Sequence, residues 1–243
     1  IILIKIAGLM HDIGHSCFSH FFDNYFLKEK LDSRFINHEF RSQIIFEFMV
    51  EKYKIELSIE EIYKIKLLID PCKNSNNFMF QILANNKSSI DCDKFDYLLR
   101  DTYNLGLPYS FDCNRFIENT KVIDNCICFS DKLLYDIYDL LNLRFRLHKQ
   151  IYNHHTVNQI EHMILDIFNL VDDELKISDK IFNIEEFMKL SDNILDNIFY
   201  SVSNSDNINK AKEIIKNIKM RNLYKLENEF ILSDTNISDD ILQ

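Results

Sequence analysis

The stretch "GLMHDIGHSCFSH", Gly8 to His20, gathers His11, Asp12, His15 and His20 into one short segment of a chain with only 8 histidines. A histidine on an amphipathic segment is ordinarily a satisfied polar group at the edge of a core. Three beside an aspartate ask for a chemical reason. If the segment is helical through Gly14, His11 and His15 lie one turn apart on the same face, and Asp12 projects beside His11. Neighbouring imidazole and carboxylate suit a divalent transition metal such as Mn, Fe or Zn better than Mg, which prefers an oxygen-rich shell. Two ligands do not make a site, so a further carboxylate and another histidine are needed.

"SSIDCDKFDYLLRDTYNLG", residues 88–106, supplies acidic groups on a patterned helix. Asp93, Tyr97 and Asp101 fall at i, i+4 and i+8 with Lys94 beside them, while Phe95, Leu98 and Leu99 take the other side. A solvated face laced by Lys94 and Arg100 is the bland alternative. Further along, Arg144, His148 and Tyr152 repeat the same spacing opposite an apolar stripe, with His154 and His155 a turn beyond. Arg grips phosphate oxygens through a planar fork, Lys acts as a point charge, and Tyr packs against a ring. Such a stripe suits a polyphosphate attached to a sugar or base.

The 243 residues are 47% hydrophobic and 27% charged, enough for one large globular domain with a sizeable core. With 3 Gly and 2 Pro there is little punctuation for hairpins or Gly-rich phosphate loops, so the chain reads as mainly helical. A net charge of -10 argues against a strongly electrostatic grip on nucleic acid, although a local basic groove stays compatible with it. The 6 cysteines show no CxxC pair, which points to reduced thiols in cytoplasm or nucleus. No apolar run approaches a membrane span, and no membrane partner is expected. The opening "IILIKIAGLM" reads as the middle of a helix, so an upstream segment is expected.

Periodicity predicts helices over 1–12, 20–30, 37–53, 59–69, 78–86, 90–104 and 112–121, then one long central helix from Asp131 to Val171. Two more are expected over 184–200 and 207–219, separated by the polar turn "SNSDN" at 203–207. "CICF" at 126–129 is the best candidate for a short strand. The fold class expected is all-α, a multi-helix bundle with at most short β elements.

Taken together, "AGLMHDIGHSCFSHFFD" (7–23), "NHEFRS" (37–42), the 88–106 segment, "LYDIYDLLNLRFRLHKQIYNH" (134–154) and "KAKEIIKNIKMRNLYK" (210–225) resemble the HD-domain deoxynucleoside triphosphate triphosphohydrolases, in particular the animal SAM- and HD-domain branch. A bare His-Asp doublet is weak evidence; five blocks in order over nearly the whole chain are strong. The resemblance implies an HD phosphohydrolase domain over 1–225, with part of it upstream, and an incomplete C-terminal segment starting at 226–243. It makes His11, Asp12 and Asp93 metal ligands, with one more histidine contributed from upstream. It turns His15, His20 and His38 toward the α-phosphate, with Asp23 supporting His20. Lys94, Tyr97 and Arg144 would hold the triphosphate, and Asp101 would accept from the sugar 3′-hydroxyl. Tyr152 would pack on the sugar, with His148 and Asn153 near the base. Arg221 matches an arginine that binds an activating GTP or dNTP, while His155 stands where that branch has a regulatory lysine. Phe95 replaces a tryptophan of the family.

The implied reaction is metal-dependent hydrolysis of a dNTP to deoxynucleoside and inorganic triphosphate, controlling dNTP levels, in a homo-oligomer, dimer or tetramer. The metal is one divalent transition ion, Mn, Fe or Zn, with Mg a lesser candidate. Two other readings stay open: HD chemistry on another nucleotide phosphoester, and a catalytically silent protein that binds nucleotide or nucleic acid.

Overall fold

A computed structural model describes residues 1–31, 33–71 and 77–227, and in them the chain is α-helical apart from one two-stranded hairpin. The expected fold class holds. Most of the C-terminal segment expected over 226–243 lies outside the described residues.

The helices are α1 (Ile2–Met10), α2 (Ser33–Ile36), α3 (His38–Tyr53), α4 (Ile59–Ile69), α5 (Phe80–Leu83), α6 (Cys92–Asn104) and α7 (Cys113–Glu118). After the hairpin come α8 (Leu134–Leu147), α9 (His155–Leu175), α10 (Ile184–Phe187), α11 (Ile194–Phe199) and α12 (Asp206–Lys219). Starts follow side chains that take up orphan amides. The Asn37 side chain accepts from Phe40 N–H at the head of α3, and Ser58 with Glu61 forms a capping box for α4. Asp91 accepts from Lys94 N–H to start α6, and Ser205 accepts from Ile208 N–H to start α12.

Several expectations change, the helix expected over 78–86 being only Phe80–Leu83. The segment 131–171 is not one helix: α8 runs into a π-helical turn at His148–Tyr152, and α9 begins anew at His155. Polar side chains capture the backbone at the break, since Asn153 Nδ2 donates to His148 C=O at 3.0 Å and His154 Nδ1 accepts from Thr156 N–H at 3.2 Å. The helix expected over 20–30 is instead a second π-helical turn, Phe22–Leu27, followed by a turn over 28–30. The helix expected at 112–121 stops at Glu118, because Thr120–Ile123 pairs antiparallel with Cys126–Phe129. The segment 184–200 is split into α10 and α11.

Three hydrophobic clusters hold these pieces. The first joins the π-turn residues Phe22, Phe26 and Leu27 to Ile167, Phe168 and Val171 of α9 and to Ile208, Ala211 and Ile215 of α12. The Phe26 and Phe168 rings meet edge to face at 5.1 Å. The second packs Phe95 and Leu98 of α6 on Leu140, Leu143 and Leu147 of α8, with Phe116 of α7. The third joins Ala7 of α1 to Phe46 and Val50 of α3 and to Ile65 and Leu68 of α4. Truncating a fully buried phenylalanine such as Phe168 costs about 3–5 kcal/mol. The region that joins the clusters holds the polar residues singled out in the sequence.

Candidate active site

Helix α1 ends at Met10, so His11 and Asp12 sit on a turn rather than on the helix face expected through Gly14. Helix α3 locks that turn: Gly14 N–H donates to Ser42 Oγ at 2.8 Å, and Ser42 Oγ donates to His11 C=O at 2.6 Å. A Cβ at position 14 would lie 2.1 Å from His38 C=O, so only glycine fits. His11 Nδ1 donates to Gly8 C=O at 2.8 Å, which aims Nε2 at carboxylates on either side, Asp12 Oδ2 and Asp93 Oδ1, each at 3.3 Å. These three residues could hold a metal ion.

The donor chemistry fits that role. The hydrogen bond with Asp93 lifts His11 to about 9, against the opposing effect of burial and with a further pull from Asp12. A proton stands where a divalent cation would neutralise the same carboxylates. Burial raises Asp12, while for Asp93 the effect of burial is outweighed by the His11 hydrogen bond and the charges of His11 and Lys94, which hold it low.

His15, His20 and His38 form a second group. The His15 and His38 rings stack at 3.9 Å and 17°, and His20 meets His15 edge-on at 4.8 Å. Their nitrogens are close enough for a metal set, with atoms within 4.8 Å of one another. Near-parallel stacked rings, however, leave no common point in both ring planes where a metal could meet both lone pairs. The group is better suited to presenting N–H donors to an anion. Burial, then the charges of His38 and His20, push His15 down to about 3, so it is a neutral imidazole at ordinary pH.

Asp23 corrects an expectation. Instead of supporting His20, its buried carboxylate pairs with the buried guanidinium of Arg41, and its other oxygen lies 3.5 Å from His38 Nδ1. Arg41 also donates to Gly14, Phe35 and Ile36 C=O at 2.9, 2.7 and 2.9 Å. His38 Nε2 is 3.4 Å from Glu39. Within the three-histidine group, His38 is therefore the imidazole with a carboxylate at each ring nitrogen. The sequence reading missed Arg41 and Ser42; a charged residue among apolar neighbours in "HEFRSQIIF" was the signal.

The α6 and α8 faces close the site. The charge of Arg144 reaches both Tyr97 and His148, and among the described residues no carboxylate lies within ion-pair distance of it. Burial raises Tyr97 and lowers His148. The Tyr152 hydroxyl donates to Asp101 Oδ2, and burial together with that bond holds the phenol protonated. The Tyr152 ring stands edge-on to His148 at 5.1 Å and to Tyr97 at 6.4 Å. Lys94 is tied to the buried Asp91 at 2.8 Å, and Asn153 is engaged with the backbone of the π-turn. His155 packs on His154 at 4.1 Å, and Arg221 is exposed with φ of 60°; none of their described contacts reaches the cluster.

The HD domain family model matches residues 1–98. A deoxynucleoside triphosphate triphosphohydrolase SAMHD1 homolog of Dictyostelium discoideum is 40% identical over 237 residues, 96% of this chain and 46% of that protein. An HD domain-containing protein of Acanthamoeba polyphaga mimivirus is 39% identical, covering 91% of this chain and 52% of its own length. The SAMHD1 triphosphohydrolase of Homo sapiens is 34% identical, covering 94% of this chain and 42% of its own length. The chain spans about half the length of the curated relatives it matches. Over residues 1–98 the chain matches the HD domain model, and over nearly its whole length it is similar to the SAMHD1 group of deoxynucleoside triphosphate triphosphohydrolases.

Proposed function

We propose that the protein is a metal-dependent phosphohydrolase that cleaves dNTPs to deoxynucleoside and inorganic triphosphate, so limiting dNTP levels. The observation that supports this reading is the meeting of three groups at one place: His11, Asp12 and Asp93, which could hold a metal ion, the stacked histidines His15, His20 and His38, and an aromatic face beside the half-buried cation Arg144.

His11, Asp12 and Asp93 would hold a divalent Mn, Fe or Zn, with Mg less apt. A metal there supplies Lewis acidity, polarising the α-phosphate and lowering the pKa of water from about 15.7 toward about 7. The neutral His15 presents an N–H to a phosphate oxygen without adding charge. Arg144 and Lys94 bind the β- and γ-phosphates, and Tyr97 shields them from water. His38 is oriented by Asp23 and Glu39, and His20 on the exposed side delivers a proton to the departing 5′-oxygen. Asp101, bonded to Tyr152, accepts from the 3′-hydroxyl, and His148 lines the base end.

An activating GTP or dNTP at Arg221 and His155 would have to act from outside this cluster. A homo-oligomer is part of the same reading, supported by the exposed stripe Leu134, Tyr138, Leu141 and Phe145 on α8, exposed by 43–68%. A cytoplasmic or nuclear setting agrees with the five described cysteines, all free thiols. Among the described residues no helix is long and apolar enough to cross a membrane.

The test is incubation of the full-length protein with each dNTP and Mn or Mg, with and without GTP, followed by ion-exchange separation. Deoxynucleoside plus tripolyphosphate, lost on Asp93→Ala, supports the reading. A nucleoside monophosphate or phosphate as product replaces it with another phosphoester, and intact dNTP throughout favours a binding protein.

A further inference from the structure

The turn that leads from His15 to His20 contains two consecutive non-glycine residues with positive φ, Phe18 at 59° and Ser19 at 51°. L-residues are crowded there, and such a pair persists only where its surroundings hold it. Within the turn, Ser19 N–H donates to Ser16 C=O at 3.0 Å. From far along the chain, Asp192 Oδ1 accepts from Phe18 N–H at 2.8 Å, across 174 residues. The Phe18 ring packs near Phe21 and Phe168, but ring packing fixes the side chain and leaves the amide to find its own acceptor.

Asp192 lies between α10 and α11. With Leu190, Ser191 and Asn193 it faces His15, Ser16 and Cys17 across a cavity of about 340 Å³. Asp192 is itself exposed, so replacing it opens no hole in a core.

We propose that Asp192 is a positioning residue: its carboxylate holds the Phe18–Ser19 turn in the left-handed form and so sets the orientation of His15 and His20. The proposal deepens the phosphohydrolase reading and rests on it for its kinetic consequence. The segment 190–193 then serves the histidine cluster without touching the substrate.

The experiment compares Asp192→Ala with Asp192→Asn in the full-length protein, reading kcat and KM for tripolyphosphate release from a dNTP, the thermal midpoint, and the imidazole 15N–1H signals of His15 and His20. For Asp192→Ala, kcat should fall about tenfold or more with KM nearly unchanged, and both imidazole signals should move. Asp192→Asn, whose Oδ1 accepts the same N–H, should keep wild-type kcat and signals. Adding Ser19→Gly to Asp192→Ala should return most of the lost kcat, because glycine adopts positive φ without crowding. Unmoved imidazole signals in Asp192→Ala, or equal kcat losses in the Ala and Asn variants, would overturn the proposal. If wild-type protein releases no tripolyphosphate, the phosphohydrolase reading fails while the imidazole signals still decide the role of Asp192.

Discussion

The buried guanidinium of Arg41 pairs with the buried carboxylate of Asp23, and that carboxylate in turn faces His38 Nδ1 at 3.5 Å. Arg41 also ties down three backbone carbonyls, so one side chain links α3, the turn at Gly14 and the end of α2. Fixing His38 therefore depends on a residue buried behind it.

Arg41→Met should destabilise the fold by about 3–5 kcal/mol, because it leaves Asp23 buried without its counter-charge. Urea unfolding reads the loss directly. Arg41→Lys should recover little, since an ammonium cannot reproduce the planar fork that serves a carboxylate and carbonyls together. The double variant Arg41→Met with Asp23→Asn should be less damaged than the single change, and equal damage would mean that the pair is not the source.

Gly14→Ala should be among the most disruptive single-methyl additions in the chain. Its Cβ would meet His38 C=O at 2.1 Å and Ser42 N at 2.5 Å, both backbone atoms with nowhere to go. A loss of about 3 kcal/mol or more, seen as a lowered thermal midpoint with weakened metal binding, is the expected result. Gly8→Ala is the control, because its Cβ meets a leucine methyl at 3.8 Å, an ordinary contact.

In the metal-free protein His11 and His15 together should contribute most to stability near pH 6.5. His15 has its folded pKa lowered to about 3, by burial first. Below 6.5 the unfolded chain takes a proton that folded His15 refuses, so stability falls as pH drops from 6.5 toward 3. His11 has its folded pKa raised to about 9, chiefly by the Asp93 hydrogen bond. Its contribution is full below 6.5 and is lost as pH rises through 9. Each limb should slope by about 1 kcal/mol per pH unit or less, since both groups are partly solvated. Thermal midpoints across pH should show His15→Asn flattening the acid limb alone and His11→Asn the alkaline limb alone.

Asp93→Asn should weaken binding of Mn or Zn about a hundredfold while leaving far-UV circular dichroism unchanged. Metal content after dialysis is the measurement. Chelation of the wild type should abolish turnover and lower the thermal midpoint, and re-addition of metal should restore both.

Groups that the structure brings together were legible where they lie at helical spacing on one element. Helical spacing placed Asp101 and Tyr97 on α6, where Tyr152 donates to Asp101 and the charge of Arg144 reaches Tyr97, and the helices expected over 37–53 and 59–69 start at Asn37 and Ser58 as caps. What escaped was set by contacts far apart in sequence. The apolar period runs unbroken from α8 through Ile151, so nothing local announces that Asn153 and His154 will capture the backbone and start a new helix. The assignment of Asp23 to His20 failed for the same kind of reason. It was carried over from the family resemblance, and Arg41, which enters from another helix, claims the carboxylate. The left-handed pair at Phe18 and Ser19 gave no glycine signal, and its support comes from Asp192.

His11 and Asp93, 82 residues apart, project from regions that pack into different cores, one built on α1, α3 and α4 and the other on α6 and α8. A cation held by both would be a rivet through two plates. Loop closure over so many residues grows slowly with length, so the rivet gains most by resisting partial opening, in which one plate swings from the other while each stays folded. Amides along α6 should then exchange slowly with solvent in the loaded protein and much faster once the rivet is drawn, with the α1 core little changed. Metal supply would thereby govern how long the protein survives proteolysis, independently of any chemistry it performs.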